Sequence, residues 1–591
     1  MDKKSLFIII PIVVVILFYW QILEFFGLYQ PPKPVTQSQS DTTQIVDTTR
    51  PETATNPATE QSSGISKPTE LTVKQPTVAD SSLLSLSQTT LDTAATRIAI
   101  DTIRVQTKQY DILCSNRGGG PISIKLRHYT KKDSSVIDLL PTGEHALPEL
   151  RFAGSTVSTD ALFFTSSVRT RTIDATSSPA ILSYTYTPPT GGARITKRYT
   201  FHPESYSIGC VVELENASSL GFERDYRVMW PSALPVTEPE MKTDMEAAEV
   251  VAWQLGNRVS LKEFNGSNMN QVITGDTRWC GVRSKYFTGV LMATTENVGT
   301  AAIGEGTLRT VNTPSGTVSE KRLTAGLEFE LPGGVRHQDS LEIFAGPLDY
   351  TLLDEYPDDL EGLLDIGTTP WVGWIYKPFA LGVIWLLPKM YAVIPNYGIC
   401  IILFALLIKL LTLPLSLKTF KSMAAMRDMG PKLEKLKTKY KDNPQMLTSE
   451  TMKLYKDAGV NPFSGCLPML AQMPIFFALF AVFRSSILLR HAPFVGFIND
   501  LSHGASSFTD PYIILVVLMI GAQFLSSFIT SSNQPQQNKM FLYIFPVIMG
   551  FMFYSFAAGL VLYWTAFSLF SLIDWYIFRR SQPKNAHIQE A

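Results

Sequence analysis

The chain has 591 residues, with 51 basic and 52 acidic side chains and a formal charge of −1. So even a balance gives no support for a nucleic-acid partner recruited by bulk charge. Apolar residues gather at the two ends, so the average composition describes neither the ends nor the middle.

Leu6 to Leu23 is almost wholly apolar and follows Lys3 and Lys4. It is too long for a signal-peptide core and has no small-residue cleavage site before Tyr29-Gln-Pro-Pro. Residues 1–28 therefore read as an uncleaved membrane anchor whose basic N-terminus stays in the cytoplasm. Residues 29–95, rich in Thr, Ser, Gln and Pro with few aromatics, cannot bury a core and read as a flexible linker. Over residues 96–360 short β-branched and aromatic runs, such as Ile122 to Arg127 and Ile181 to Tyr186, are separated by turn signals including Asn116-Arg-Gly-Gly-Gly-Pro121. Many strands without helical periodicity predict a large β-sandwich that buries its own core.

Cys114, Cys210 and Cys280 fall in this β region, so it can hold at most one internal disulfide. No cysteine pair has metal-site spacing, and neither a nucleophile elbow nor a phosphate loop is present; Gly118-Gly-Gly120 is a turn signal. No cofactor is expected.

The C-terminal third reads as a membrane domain. Residues 371–396 are apolar and aromatic but broken by Pro378, Pro388 and Pro395 and marked by Lys377 and Lys389, which predicts an interfacial helix. Five spans follow, at 397–416, 466–484, 511–530, 540–556 and 560–578, the last two joined by Ala557-Ala-Gly559. With the anchor they make six transmembrane helices and put both termini on one side. The basic segment 417–462 and the tail 579–591 belong in the cytoplasm, which leaves the β domain outside. Arg484, Arg490 and His491 stand against that pattern.

Segment 417–462 is expected to be a helical hairpin, kinked at Pro431 and turning at Asp442-Asn-Pro444, with Thr448 or Ser449 capping its second helix. Met423, Met426 and Met429 share a stripe beside Arg427. A methionine stripe suits either varied apolar clients or ordinary helix packing. The lysines suit anionic lipid headgroups, ribosomal RNA or a solvated face.

Lys409 lies within the apolar run from Tyr397, where a central lysine costs roughly 2.5 to 3.5 kcal/mol. Two readings are open. The ammonium faces a wet cavity or a polar partner, or it snorkels along the helix toward Lys418, about 13 Å of rise away. Gln472, in another apolar stretch, lines a groove or bonds to a neighbouring helix. Tyr563 and Trp564 suit a groove, a packed core or an interfacial belt. Asp574, close to the basic tail, reads as interfacial.

Asn461-Pro462, Gly465-Cys466-Leu467-Pro468, Gln472-Met-Pro-Ile-Phe476, Ala478-Leu479, Leu454-Tyr455-Lys456 and Gly559-Leu-Val-Leu-Tyr563 together resemble the signature of the YidC membrane-protein insertase family. The order of parts is similar to its Gram-negative form. The resemblance is strong from Trp371 to Arg580 and weaker over the β domain, where it rests on matches such as Asn116-Arg-Gly-Gly119. It implies a polytopic α-helical inner-membrane protein with six transmembrane helices and a large periplasmic β-sandwich (supersandwich) similar to sugar-mutarotase domains. It also implies an insertase and chaperone, not an enzyme, with a hydrophilic groove in the inner leaflet. The groove charge is typically an arginine five residues before a proline; here Lys409 stands five before Pro414. The implied client contacts are Gln472, Met473, Phe476, Tyr563 and Trp564, with Met423, Met426, Arg427 and Met429 on the cytoplasmic hairpin. The implied partners are nascent membrane proteins, the Sec translocon, the ribosome and membrane lipids. Two alternatives stand beside this: a transporter or channel with Lys409 as its solute site, and an anchored carbohydrate-active protein using His202 or His337 with Glu204 or Glu328.

Overall fold

The computed structural model describes residues 99–591 except 142, 153–157, 190, 218–223, 295–297, 314–315, 332–334, 368, 370–371, 460–466, 532–538 and 582–591. The expected anchor and linker, and most of the expected tail, lie outside the described residues.

Two sheets make the β domain. The smaller has five strands, in the order Val136–Asp138, Gly120–Thr130, Tyr110–Ser115, Thr102–Gln106 and Thr172–Asp174. Only the last pairing is parallel. The larger has thirteen strands, and its strand Phe287–Ala293 is buried along its whole length. That burial follows from its place between Asn268–Arg283 and Arg336–Pro347, with sheet on both sides and layers above and below. Along Arg194–Phe201 burial alternates, so Ile195, Lys197, Tyr199 and Phe201 face inward, as the two-residue period of a strand requires. Ile103, Val105, Ile112 and Ile124 of the small sheet join the same apolar core as Ile195, Tyr199 and Phe201. Two inward faces sharing one core form a sandwich. Two short helices, α1 (Met241–Ala247) and α2 (Tyr350–Leu353), flank the sheets.

The glycine turn is positioned by this core. Gly118 and Gly119 have φ of +77° and +66°, which turns their carbonyls toward the sandwich interior. There Lys197 Nζ donates to the Gly118 oxygen at 2.7 Å and the Tyr199 hydroxyl donates to the Gly119 oxygen at 2.8 Å. A Cβ added at Gly119 would meet the Phe164 ring at 2.6 Å. Gly119→Ala should therefore cost about 2 kcal/mol from the left-handed backbone and the overlap together, read as a lower unfolding midpoint of the β domain.

The remaining chain is helical: α3 (Gly373–Val393), α4 (Tyr397–Asp428), α5 (Gly430–Lys439), α6 (Pro444–Asp457), α7 (Leu467–Ser485), α8 (Ile513–Ser531), α9 (Lys539–Phe553) and α10 (Ala558–Ser581). Among the described residues, Tyr397–Met426 and Ala558–Phe578 are long and apolar enough to cross a membrane, and Leu470–Ser485, Ile513–Ile529 and Ile544–Phe553 are shorter apolar helices. On α3, Trp374, Phe379, Trp385 and Tyr391 are exposed, and the Lys389 ammonium sits 3.7 Å over the Trp385 ring. Such an aromatic and basic face suits a bilayer interface.

Helix α4 does not stop at 416. Residues 415–428 lack a breaker, so the helix carries Met423, Met426 and Arg427 to its own C-terminal end and breaks only at Met429-Gly-Pro431. Pro431 opens α5 rather than kinking a longer helix. The expected cap at Thr448 or Ser449 is also displaced. The Asn443 side chain accepts from Met446 N, and Pro444 occupies the first turn, because Asn followed by Pro supplies both the cap and a preset φ one turn earlier. At the tip between α9 and α10, Ala558 N donates to the His503 oxygen at 2.7 Å and Gly559 N to the Leu501 oxygen at 2.8 Å, so the loop before α8 holds this hairpin shut.

Helical and β parts meet at the segment after α7. Ile487 belongs to the apolar core of the β domain. Arg490 Nε donates to Glu238 Oε1 at 2.7 Å, and Nη1 donates to the Thr130 oxygen at 2.8 Å. Its guanidinium lies 5.7 and 5.6 Å from the ring centres of Tyr286 and Phe287. Arg484 reaches Glu246 at 4.0 Å. Both arginines that run against the basic-residue pattern are thus paired with acids of the β domain.

Candidate functional site

On α4, Leu410 and Leu411 are 60% and 71% exposed, whereas Ala405, Ile408 and Lys409 face inward, Lys409 at 6%. One helix turn thus presents leucine outward and the ammonium to α10. Lys409 Nζ lies 2.7 Å from Asp574 Oδ2, donates to Ser571 Oγ at 2.9 Å, and stands 4.6 Å from the centre of the Phe567 ring. Phe567, Ser571 and Asp574 are spaced four and three apart, which stacks them on one face of α10. Lys409 therefore does not snorkel toward Lys418; the polar-partner reading holds. Asp574 is 2% exposed and takes up the ammonium, since only an opposite charge offsets the burial of Lys409. The signal was present in the sequence, since Asp574 is the one acidic residue of α10 and isolated opposite charges in apolar helices tend to pair.

A second polar link lies on the same side of α10. Gln472 Nε2 on α7 donates to the Tyr563 hydroxyl at 2.7 Å. Tyr563 stacks on Phe567, centroids 5.8 Å apart, so Lys409, Phe567, Tyr563 and Gln472 form a continuous column. Phe476 and Trp564 meet edge to face at 5.6 Å, and Met473 is half-buried beside them in sequence. Trp564 Nε1 and Ser568 Oγ both donate to Gln523 Oε1, at 3.3 and 2.8 Å. Gln523 was missed by sequence reasoning, although a lone glutamine in apolar α8 is the same signal as Gln472.

The hairpin candidates are not brought into this column by any contact described. Met429 is buried and Met426 half-buried, which is packing geometry; the side chains of Met423 and Arg427 lie outside the described residues. Helices α5 and α6 bury no side chain.

In the β domain, Lys108 reaches Glu204 at 2.5 Å, and His202 and Glu204 line an open pocket with Ser205 and Tyr356. His337 is 2.6 Å from Asp339, and Glu328 is 2.9 Å from Arg227, so Glu204, His337 and Glu328 each have a partner already. Among the described residues no cluster of three His, Cys, Asp or Glu could hold a metal ion. Cys114, Cys210 and Cys280 are buried free thiols; burial pushes Cys210 up to about 12 and Cys280 likewise, which keeps both protonated and unreactive.

Residues 389–585 match the family described as 60Kd inner membrane protein, and residues 102–381 match the YidC periplasmic domain. A membrane protein insertase YidC of Syntrophus aciditrophicus is 30% identical over 97% of this chain and 98% of its own. One of Chlorobium luteolum is 39% identical over 63% of this chain and 64% of its own length. A crystal structure of an active YidC insertase with its first transmembrane domain resolved covers 84% of this chain and 98% of that one, at 19% identity and a TM-score of 0.35. With both family models matched and the Syntrophus aciditrophicus relative aligned over nearly its whole length, this chain is an inner-membrane protein that belongs to the YidC family of membrane protein insertases.

Proposed function

We propose that this protein inserts and helps fold inner-membrane proteins through a hydrophilic groove in the inner leaflet, alone or beside the Sec translocon. The observation that carries this reading is two buried polar links, Lys409 with Asp574 and Ser571 and Gln472 with Tyr563, bridged by the Phe567 ring and held among helices whose outer faces are apolar. A polar client tail crossing hydrocarbon meets unsatisfied backbone and charge at several kcal/mol per group. A polar path partway across shortens the dry distance, and the membrane potential adds about 2.3 kcal/mol per acidic charge per 100 mV. The apolar client helix then leaves sideways into lipid.

In this reading the anchor, α4, α7, α8, α9 and α10 are six spans, with both termini in the cytoplasm and the β-sandwich in the periplasm. Lys409 is the groove charge. Gln472, Met473, Phe476, Tyr563 and Trp564 meet the client, while α5 and α6, rich in lysine and without a buried side chain, meet the ribosome or anionic lipid. The test is photo-crosslinking from positions 472 and 476 to ribosome-bound nascent membrane proteins, with Lys409→Arg, Lys409→Gln and Lys409→Glu in parallel. We expect crosslinks to apolar client segments, insertion kept with Arg, and insertion lost with Glu, which sets a second carboxylate against Asp574. Absence of crosslinks to every client overturns the reading.

A further inference from the structure

The groove cation of this chain is not free. Lys409 and Asp574 have side chains 8% and 3% exposed and meet at 2.7 Å, so an arriving client finds a neutral pair instead of a bare ammonium. We propose that Asp574 is a resident competitor for Lys409, and that clients are selected by the ability of an acidic residue in their translocated segment to displace it. This inference rests on the insertase reading above and adds the residue of this chain that sets how acidic a client must be, the carboxylate 2.7 Å from Lys409.

The surroundings of the pair favour an exchange. Ser571 Oγ accepts from Lys409 at 2.9 Å while donating to the Phe567 oxygen at 3.0 Å. Ser416, one helical turn beyond Thr412 on α4, is buried and donates to the Thr412 oxygen at 3.2 Å. It also lies within reach of the Asp574 carboxylate. The Ser416 hydroxyl can turn its proton from the Thr412 oxygen toward Asp574 when a client carboxylate takes the ammonium. That partial compensation matters, because a buried carboxylate stripped of every partner would make displacement prohibitive. A neutral client group cannot make the same trade, since it brings no charge to offset the one uncovered. Asp574 therefore acts through Lys409 as a positioning residue that sets how much acidity a client needs.

The test is insertion of three clients differing only in the acidic residues of the translocated tail: none, one and three. They are scored by protease protection with the full chain in inner-membrane vesicles. In the wild type, insertion should rise steeply with acid number. Asp574→Asn removes the competitor, so the one-acid client should gain about 5-fold relative to the acid-free client, the low end of couplings between sites. Asp574→Glu lengthens the arm by one methylene and shifts the carboxylate from its 2.7 Å contact, so it should move the same ratio in the same direction by less. A purely structural role for Asp574 predicts that Asn shifts all three clients by one common factor, and that result overturns the proposal. Should Asp574→Asn not accumulate, Asp574→Glu decides alone. Its longer arm cannot keep the same contact in a packed site, so the one-acid client should gain over the acid-free client in the same direction, and an unchanged ratio counts against the exchange. If the wild type inserts none of the three, the insertase reading itself falls; if it inserts all three equally, only the exchange does.

Discussion

Arg490→Ala should loosen the β domain from the helices at a cost of about 3 kcal/mol, the range for removing one partner of a buried ion pair. Burial decides the size. A surface pair contributes at most about 1 kcal/mol, but the Arg490 and Glu238 side chains are 4% and 7% exposed. Truncation also removes the bond to the Thr130 oxygen and the guanidinium from the faces of Tyr286 and Phe287, leaving buried Glu238 Oε1 with only the Thr237 hydroxyl at 3.2 Å. Arg484→Ala should change little, because its contact to Glu246 is 4.0 Å long and both side chains are largely exposed. Hydrogen exchange at the Thr130 end of Gly120–Thr130, and cleavage between α7 and α8 by a site-specific protease, should both rise in Arg490→Ala. A joint Arg490→Met, Glu238→Met variant should recover part of the loss, since it leaves no unpaired charge. Unchanged exchange and cleavage in Arg490→Ala would show that Ile487 and its apolar neighbours hold the domains together without the arginine.

What the sequence made legible follows from the range of the physics involved. The shift from a β region to an apolar helical region is written in local periodicity, and Lys409, Gln472 and Tyr563 stand out as polar residues in apolar runs. Their partners are tertiary facts. The one hint from Asp574 to Lys409 is opposite charge in an apolar helix, whereas Arg579 and Arg580 lie closer in the chain and suggested an interface instead. Arg490 was an exception to a topological rule until the fold placed Glu238 against it. The cap of α6 was legible but misread, since hydroxyl residues near Glu450 were weighed over Asn443-Pro444. Lys197 went unnoticed because a lone lysine in an alternating strand is ordinary; only the register of Arg194–Phe201 shows that it faces the core.

Lys197→Met should lower stability of the β domain by about 3 kcal/mol at neutral pH, a fall of roughly 8 °C in midpoint for a domain of this size. Lys197 Nζ donates to the Gly118 and Pro148 oxygens, both at 2.7 Å, and to Thr159 Oγ1 at 3.1 Å. It thereby ties three loops to one strand. An apolar replacement for a buried charge is often harmless. Here it would strand two carbonyls at about 1 kcal/mol or more each and leave the Thr159 hydroxyl with only its bond from Leu150 N at 2.9 Å, and that loss outweighs the relief of desolvation. The pH dependence gives an independent check. Burial pulls the Lys197 ammonium from the ordinary 10.5 down to about 8, so between those values the unfolded chain holds a proton that the folded protein has released. Unfolding then takes up a proton, and stability contributed by this group rises with pH through that window, by about 3 kcal/mol in total. Below pH 8 the desolvation penalty is fully present and flat. Urea unfolding of wild type and Lys197→Met at pH 7, 8.5 and 9.5 cancels the other titrating groups, and the gap between the two should widen in the wild type's favour as pH rises. A gap that stays constant would mean that the three oxygens hold the proton on Lys197 across the whole range, so that the hydrogen bonds, and not desolvation, govern this buried lysine.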